Sequence, residues 1–438
     1  DLAGSLGRAE ARAAVVGRAP ASMRRSIGLL AERYSKWERR AALTPSHTQR
    51  LVQAGIDVLV QPSTSRVYAD SEYAKAGATL TPDLSAATAI FGVKQPENGT
   101  LLPGKTYLVF SHVIKAQQEN MALLDEMLEK EVRLIDYECV REGGGGSMPR
   151  LIAFGAFAGK AGVISGIRGL GLRLLSLGYS TPFLSVGPAY SYLDYADAKR
   201  ALGAVGAQIA ERGLPPAVSP LVVTVCGRGN VSRGALDALG ALGEETVRWV
   251  GPDELPALSA LQGTEGEHQR HVYACLLGTE HYVERLEQKA GADGAAAPFD
   301  RAHYQENPHE YAPVFHSRIA PHTSMLVTTM YWDRRFPRLL SLDQLEGLGA
   351  TGARRLLAVA DITCDVNGAV ESLVRSSSID SPFYVYDEVA RRESEKGLDG
   401  SGVLMMGVDI LPSELPREAS EHFGDALLPF VDTLATPG

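Results

Sequence analysis

The chain has 438 residues and a net charge of −9, with 45% of positions hydrophobic and 22% charged. That length exceeds what one hydrophobic core usually holds, so about two domains are expected, and the composition excludes a fibrous or largely disordered chain. The acidic balance argues against a nucleic-acid partner, since modules that bind a phosphate backbone usually carry a basic excess.

In chain order, residues 1–25 set Arg8, Arg12, Arg18, Arg24 and Arg25 among Ala and Ser, with Asp1 and Glu10 as their acids. This suits the end of a mitochondrial presequence and hence a matrix protein; a disordered terminus on a cytoplasmic protein reads the same way. From Ser26, short apolar runs alternate with amphipathic ones, the βα rhythm of a parallel sheet. Strands are predicted at Ile27–Leu30, Ile56–Val60, Ala89–Val93, Thr106–Phe110 and Arg133–Tyr137. Thr44 as N-cap, Pro45 as first helical position and Gly55 as terminator predict a helix over Pro45–Ala54. A polar helical segment ends at Gly77, and another helix runs from Gln117 to about Glu129. Gly143–Gly146 reads as a flexible loop at a domain junction.

The apolar stretch Leu151–Gly178 is interrupted by Lys160, Arg168 and Arg173, which a bilayer centre penalises, so a buried helix is expected and no membrane span. A second βα series places strands at Leu221–Cys226, Val247–Val250 and Leu356–Ala360, and a last one at Val403–Ile410. Pro298–His322 reads as irregular and Gln288–Pro298 as a mobile loop. Glu414–Leu434 carries Leu415, Ala419, Phe423, Leu427 and Phe430 as a helical stripe. Cys139, Cys226, Cys275 and Cys364 form no CxxC pair, which speaks against a zinc module or a disulfide framework and for a reducing compartment. His268, His271 and His281 lack metal-site spacing with carboxylates, so no metal is expected.

Two constellations bear chemistry. Val222 to Ser232 runs an apolar strand into Gly227-Arg228-Gly229-Asn230-Val231-Ser232, a GxGxxS turn with Gly234 two places later. Such a turn aims backbone N–H groups and a helix N-terminus at a pyrophosphate, and its place between a strand and a helical stretch is the context the motif requires. A carboxylate about 20 residues on would select NAD through the ribose 2′-hydroxyl. The second strand ends instead at Arg248-Trp249-Val250-Gly251, where Gly251 leaves room for a 2′-phosphate and Arg248 or Arg228 could pair with it, which favours NADPH.

The other constellation is a set of polar groups just past several strand ends: Arg40, Lys94, His112 with Lys115, and Glu138. In an open parallel sheet these ends converge at the edge where ligands bind. A His and a Lys there make an acid–base pair, because neighbouring cations and partial burial lower a lysine's pKa towards neutrality. The remaining cations suit dicarboxylates.

The strings Trp37-Glu-Arg-Arg-Ala-Ala-Leu-Thr-Pro45, Phe91-Gly-Val-Lys94, Phe110-Ser-His-Val-Ile-Lys-Ala-Gln117, Leu134-Ile-Asp-Tyr-Glu138 and Gly229-Asn-Val-Ser-Arg-Gly234 resemble the lysine–2-oxoglutarate reductase domain of the aminoadipic semialdehyde synthase family. More remotely they resemble the alanine dehydrogenase and saccharopine dehydrogenase superfamily. The resemblance implies an α/β fold of two Rossmann-like domains whose parallel sheets are separated by a cleft. A substrate-binding domain would take residues 26–150 plus 413–438, and a dinucleotide-binding domain 151–412. It implies Lys94 and His112 as catalytic residues, Arg40, Lys115, Arg150 and Phe154 on the substrate's carboxylates and carbon chain, and Glu38 and Glu138 tuning charge. Asp365 would lie beside the nicotinamide, with Asp361 open as a structural strand-end acid. The implied reaction joins L-lysine to 2-oxoglutarate and reduces the imine with NADPH to saccharopine. An NAD-dependent, lysine-forming enzyme and a non-catalytic nucleotide-binding module are the alternatives. A homo-oligomer stays open, as does a fused saccharopine dehydrogenase domain, since no second half resembling it is present.

Overall fold

The computed structural model describes residues 25–116, 118–142, 150–287, 298–352 and 354–436. Residues 1–24, the Gly143–Gly146 tract, nearly all of Gln288–Pro298 and the side chain of Lys115 lie outside the described residues. The chain divides into two compact units, one of Asp1–Lys36, Arg40–Ala153 and Ser420–Gly438, the other of Trp37–Arg39 and Phe154–Ala419. Sequence places the limits at 150 and 413; the units part at Ala153 and Ser420.

The first unit is built from β1 (Ser26–Leu29), α1 (Pro45–Gln53), β2 (Asp57–Val60), α2 (Asp70–Lys75), β3 (Thr79–Leu80), β4 (Ala89–Lys94), β5 (Thr106–Phe110), α3 (Met121–Glu129) and β6 (Arg133–Asp136). Its six strands are all parallel, in the order β3-β2-β1-β4-β5-β6, which is the Rossmann order. β4 and β5 are central and buried on both faces, which is why they read as unbroken apolar runs. Helix α1 starts where expected: the Thr44 hydroxyl accepts from the His47 N–H, and the His47 ring returns a contact of 3.1 Å to the Thr44 N–H. Helix α3 begins at Met121, not Gln117, where Leu123 and Met127 first give it a buried face; Gln118–Asn120 take a tighter 3-10 turn.

The second unit contains α4 (Gly155–Ser176), α5 (Tyr195–Arg212), β7 (Leu221–Cys226), α6 (Asn230–Gly240), β8 (Val247–Trp249), α7 (Leu255–Ser259), β9 (Val272–Leu277), β10 (Val283–Arg285), α8 (Arg301–Glu306), β11 (Tyr311–Pro313), α9 (Phe315–Arg318), β12 (Met325–Thr328), α10 (Leu342–Ala350), β13 (Ala358–Asp361), β14 (Phe383–Asp387), β15 (Arg392–Glu393) and β16 (Val403–Met406). Eight of these strands form one sheet in the order β15-β14-β16-β13-β12-β7-β9-β8, parallel from β16 to β8, with β14 and β15 antiparallel at one edge. The order in which strands are added reverses between β7 and β12, which stay parallel, and this is the topological switch point where ligands of such sheets bind. β9, β12 and β14 are not among the predicted strands, because short buried apolar runs cannot be told from helix by periodicity alone. The reading of Pro298–His322 as irregular is corrected: α8 is capped by Asp300, β11 pairs antiparallel with β10, and α9 follows.

Helix α4 is buried as expected, and no helix among the described residues is long and apolar enough to cross a membrane. Its glycines at 159, 162, 166 and 169 share one face, which lies directly on α6 and on β12, β13, β14 and β16. Arg173, 1% exposed, donates from its two terminal nitrogens to the carbonyls of Leu398, Gly400 and Gly402 at 2.6–3.0 Å. The closing helix α11 (Pro416–Ala435) buries Ala419, Phe423 and Leu427, with Leu415 buried just before it, but its next buried stripe position is Val431, not the exposed Phe430.

Candidate active site

In the first unit the polar set gathers at the carboxyl ends of β4, β5 and β6. Lys94 closes β4 and pairs in register with Phe110, after a bulge between Phe91 and Lys94 that re-aims the strand end. His112, two residues past β5, thus leaves the neighbouring strand. Its φ of 57° is left-handed, a conformation that costs energy in a non-glycine residue and tends to occur where function needs it. The His112 Nδ1 lies 3.4 Å from a Glu138 carboxylate oxygen, an ion-pair separation and not a formed hydrogen bond. The same oxygen is 3.5 Å from the Arg150 guanidinium, so buried Glu138 sits between the imidazole and a half-exposed cation.

Sequence reasoning missed the groups that fasten these ends. Ser111 donates to Asp136 at 2.5 Å, joining β5 to β6, and Asp136 also accepts from the Glu138 N–H at 2.9 Å. Glu32, 5% exposed and at φ 52°, accepts from the N–H groups of Val93 at 2.5 Å and Lys94 at 3.0 Å. It thereby fixes the backbone that carries Lys94. The Lys94 ammonium lies 5.1 Å from the Tyr34 ring centroid. Lys94, Glu32, Arg33 and Gln95 line a cavity of about 270 Å³. Glu32 and Asp136 are strand-end acids, a signal the sequence offered. Arg40 is 3% exposed and Glu38 fully buried, with Glu38 and Phe154 grouped in the second unit.

In the second unit the buried strand β7 feeds the Gly227-Arg228-Gly229 turn, and α6 starts at Asn230 and Val231. Gly227 has φ +119°, and a Cβ there would come 2.7 Å from the Thr329 hydroxyl. Thr329 donates to the Cys226 carbonyl at 2.6 Å and meets the Ser232 hydroxyl at 2.6 Å, so Ser232 pins the turn to the end of β12. Gly234 takes the close-packing role: a Cβ on it would overlap the Ala156 carbonyl of α4. A nucleotide pyrophosphate fits this arrangement, with a turn that tolerates no side chain at Gly227, a helix N-terminus behind it and a cavity of about 750 Å³ beside it.

Arg248 and Gly251 are not brought to that cavity. β9 intervenes between β7 and β8, and it leaves the Arg248 guanidinium on the Glu244 carbonyl at 2.8 Å and the Gly251 N–H on Glu254 at 2.7 Å. The strand end beside the glycine turn belongs to β9, and Glu280 beyond it pairs with Arg228 at 2.7 Å. Asp365 is exposed in the loop after β13. Asp361 is fully buried, accepting from Thr328 and Thr363 at 2.6 Å, and burial raises its pKa. Among the described residues no His, Cys, Asp or Glu group is arranged to hold a metal ion. Cys226 and Cys275 are buried free thiols, and burial pushes Cys275 up to about 11.

Two Rossmann-like units, one carrying the glycine turn and one the strand-end polar set, define the fold class. Residues 28–158 match the alanine dehydrogenase/PNT N-terminal domain family. The chain is similar to alpha-aminoadipic semialdehyde synthase of Arabidopsis thaliana, 43% identical over 94% of this chain and 38% of that protein. The mitochondrial protein of that name from Bos taurus is 38% identical over 93% of this chain and 43% of its own length. The chain thus spans about two fifths of these relatives. A solved L-alanine dehydrogenase shares the fold with a TM-score of 0.53 at 18% identity, covering 94% of this chain and 90% of that one.

Proposed function

We propose that this chain is a lysine–2-oxoglutarate reductase, condensing L-lysine with 2-oxoglutarate and using NADPH to form saccharopine, the first step of lysine degradation. The observation that carries the reading is the strand-edge set: Lys94 and His112 on adjacent strand ends, with Glu138 between the imidazole and Arg150. The ε-amine of lysine attacks the ketone, and Lys94 or His112 takes its proton. The same pair returns a proton to the carbinolamine hydroxyl as water leaves, so an imine remains. Arg40, Lys115 and Arg150 hold the carboxylates and Phe154 the carbon chain, which fixes the imine carbon in place; orientation of this kind removes several kcal/mol from a barrier. Glu38 and Glu138 balance those cations. NADPH, when bound, supplies the hydride. Gly227, Gly229, Asn230 and Val231 would hold its pyrophosphate, and Asp365 would lie by the nicotinamide.

The similarity to part of a longer synthase supports a fused saccharopine dehydrogenase domain in the intact protein, and the mammalian relative's name supports a mitochondrial location. A second reading, an NAD-dependent lysine-forming enzyme, is favoured by one observation, the Glu280 carboxylate beside the glycine turn. The deciding assay follows NADPH oxidation with lysine and 2-oxoglutarate together, then with each omitted, and repeats it with NADH. Oxidation should require both substrates and prefer NADPH. A chain that binds NADPH and never consumes it would instead be a regulatory module. His112→Gln should lower turnover about a hundredfold while leaving NADPH affinity unchanged; a variant as fast as the parent removes its proposed role.

A further inference from the structure

The cavity beside the glycine turn has charges and walls that the proposed hydride chemistry does not use. It opens at the carboxyl ends of β7, β9 and β12, and its lining carries three arginines, Arg228, Arg301 and Arg338, against one acid, Glu280. Arg338 is committed to the carbonyls of Asn367 and Gly368 at 2.6 and 2.9 Å and lies 3.6 Å from Glu371. Arg228 and Arg301 are therefore the cations available to a ligand. Both are surface-accessible at the rim, Arg228 from the turn itself and Arg301 from the start of α8. The Arg228–Glu280 pair lies against the backbone at Gly278, where a Cβ would come 2.6 Å from the Arg228 Cζ. The remaining wall is aromatic, from Phe299, Tyr304, Trp332 and Phe336.

We propose that this cavity takes the adenosine 2′-phosphate end of the cofactor. The 2′-phosphate would sit between the guanidinium groups of Arg228 and Arg301, and the adenine would lie against the aromatic wall. The inference rests on the dinucleotide reading of the turn. It relocates cofactor selection from the tip of β8 to the tip of β9, because the sheet puts β9 next to β7. A ribose diol needs no cation, whereas a phosphomonoester dianion at this edge meets two. Glu280 stands in for the phosphate on Arg228 and is displaced from it on binding.

The test uses the intact chain and two probes, 2′,5′-ADP and 5′-ADP, with affinities measured by calorimetry. The parent should bind 2′,5′-ADP at least about tenfold more tightly, and Arg228→Gln and Arg301→Gln should each cut that preference several-fold with 5′-ADP binding unchanged. Unchanged 5′-ADP binding also reports that the variants fold. Glu280→Gln should tighten 2′,5′-ADP alone. Equal losses for both probes in the arginine variants would make their role structural and overturn the proposal. So would a parent that prefers 5′-ADP, or a Glu280→Gln variant that loses 5′-ADP, since Glu280 would then be a ribose acceptor. Because neither probe undergoes reaction, these results stand apart from the lysine-dependent assay, which can fail while the subsite holds.

Discussion

At the scale of single residues, the candidate site depends on buried carboxylates that hold backbone. Glu32 grips two consecutive N–H groups at the end of β4 from a left-handed conformation, and replacing it by Gln removes the charge and one of two acceptor oxygens. Hydrogen bonds to a buried charged group contribute about 1.5–3 kcal/mol each, so Glu32→Gln should lower stability by about 2 kcal/mol in denaturant titration and slow turnover through a loosened Lys94. A midpoint identical to the parent's would mean the clamp contributes nothing. Glu414 gives a pH signature. It is 4% exposed, and burial pushes its carboxyl up to about 7, against the lowering effect of the Ala189 and Tyr190 N–H groups and Arg168. Its folded pKa lies above the unfolded value of about 4.3, so the folded state holds the proton more tightly. Stability from this group is complete below about pH 4.3 and is lost as the pH rises towards about 7. Glu414→Gln should flatten the fall in unfolding temperature across that window; a parallel pair of curves would remove Glu414 as its source.

At the scale of elements, the placing of α6 decides whether the glycine turn can meet a pyrophosphate. The α4–α6 crossing is closer than side chains allow, since a Cβ at Gly159 would overlap the Val231 carbonyl and one at Gly234 the Ala156 carbonyl. Gly234→Ala should therefore force the helices apart, costing about 1–3 kcal/mol as overpacking does, and weaken dinucleotide binding by shifting the start of α6. Thermal unfolding and NADPH titration on the same variant check both effects, and a variant that binds NADPH like the parent would show that the turn tolerates the shift. Sequence located α6 by its turn and α1 by its cap because those signals are local. It missed β9, β12 and β14 because a strand buried on both faces carries no alternation. With β9 unseen, β8, the next strand in the chain, is expected beside β7; in the sheet β9 lies between them, and Arg248 and Gly251 do not line the cavity.

At the scale of the whole molecule, the chain leaves the first unit, builds the second and returns, so the last helix supports residues from the first third of the sequence. Phe423 is fully buried, with its ring 5.1 Å from Tyr137 and 6.1 Å from Phe110, and Phe110 stacks on His112 at 6.3 Å. Further along the same helix, Asp425 meets the buried His47 of α1 at 3.1 Å. Phe423→Ala should cost about 3–5 kcal/mol and lower turnover as the support under His112 relaxes. If the variant lost stability and kept full turnover, the helix would be a scaffold without influence on the site.

What the sequence determined by itself was local and periodic: the α/β class, the first sheet's main strands, the buried α4, the glycine turn, and Lys94, His112 and Glu138 as strand-end groups. These follow from apolar runs, caps and turn residues acting within a few positions of one another. Only the tertiary structure decided which strand lies beside β7, that Glu32, Ser111 and Asp136 tie the strand ends, and that Glu280 and Arg301 join Arg228. Those facts depend on hydrogen-bond partners and strand neighbours far apart in the chain, and no local pattern encodes a register with a distant strand.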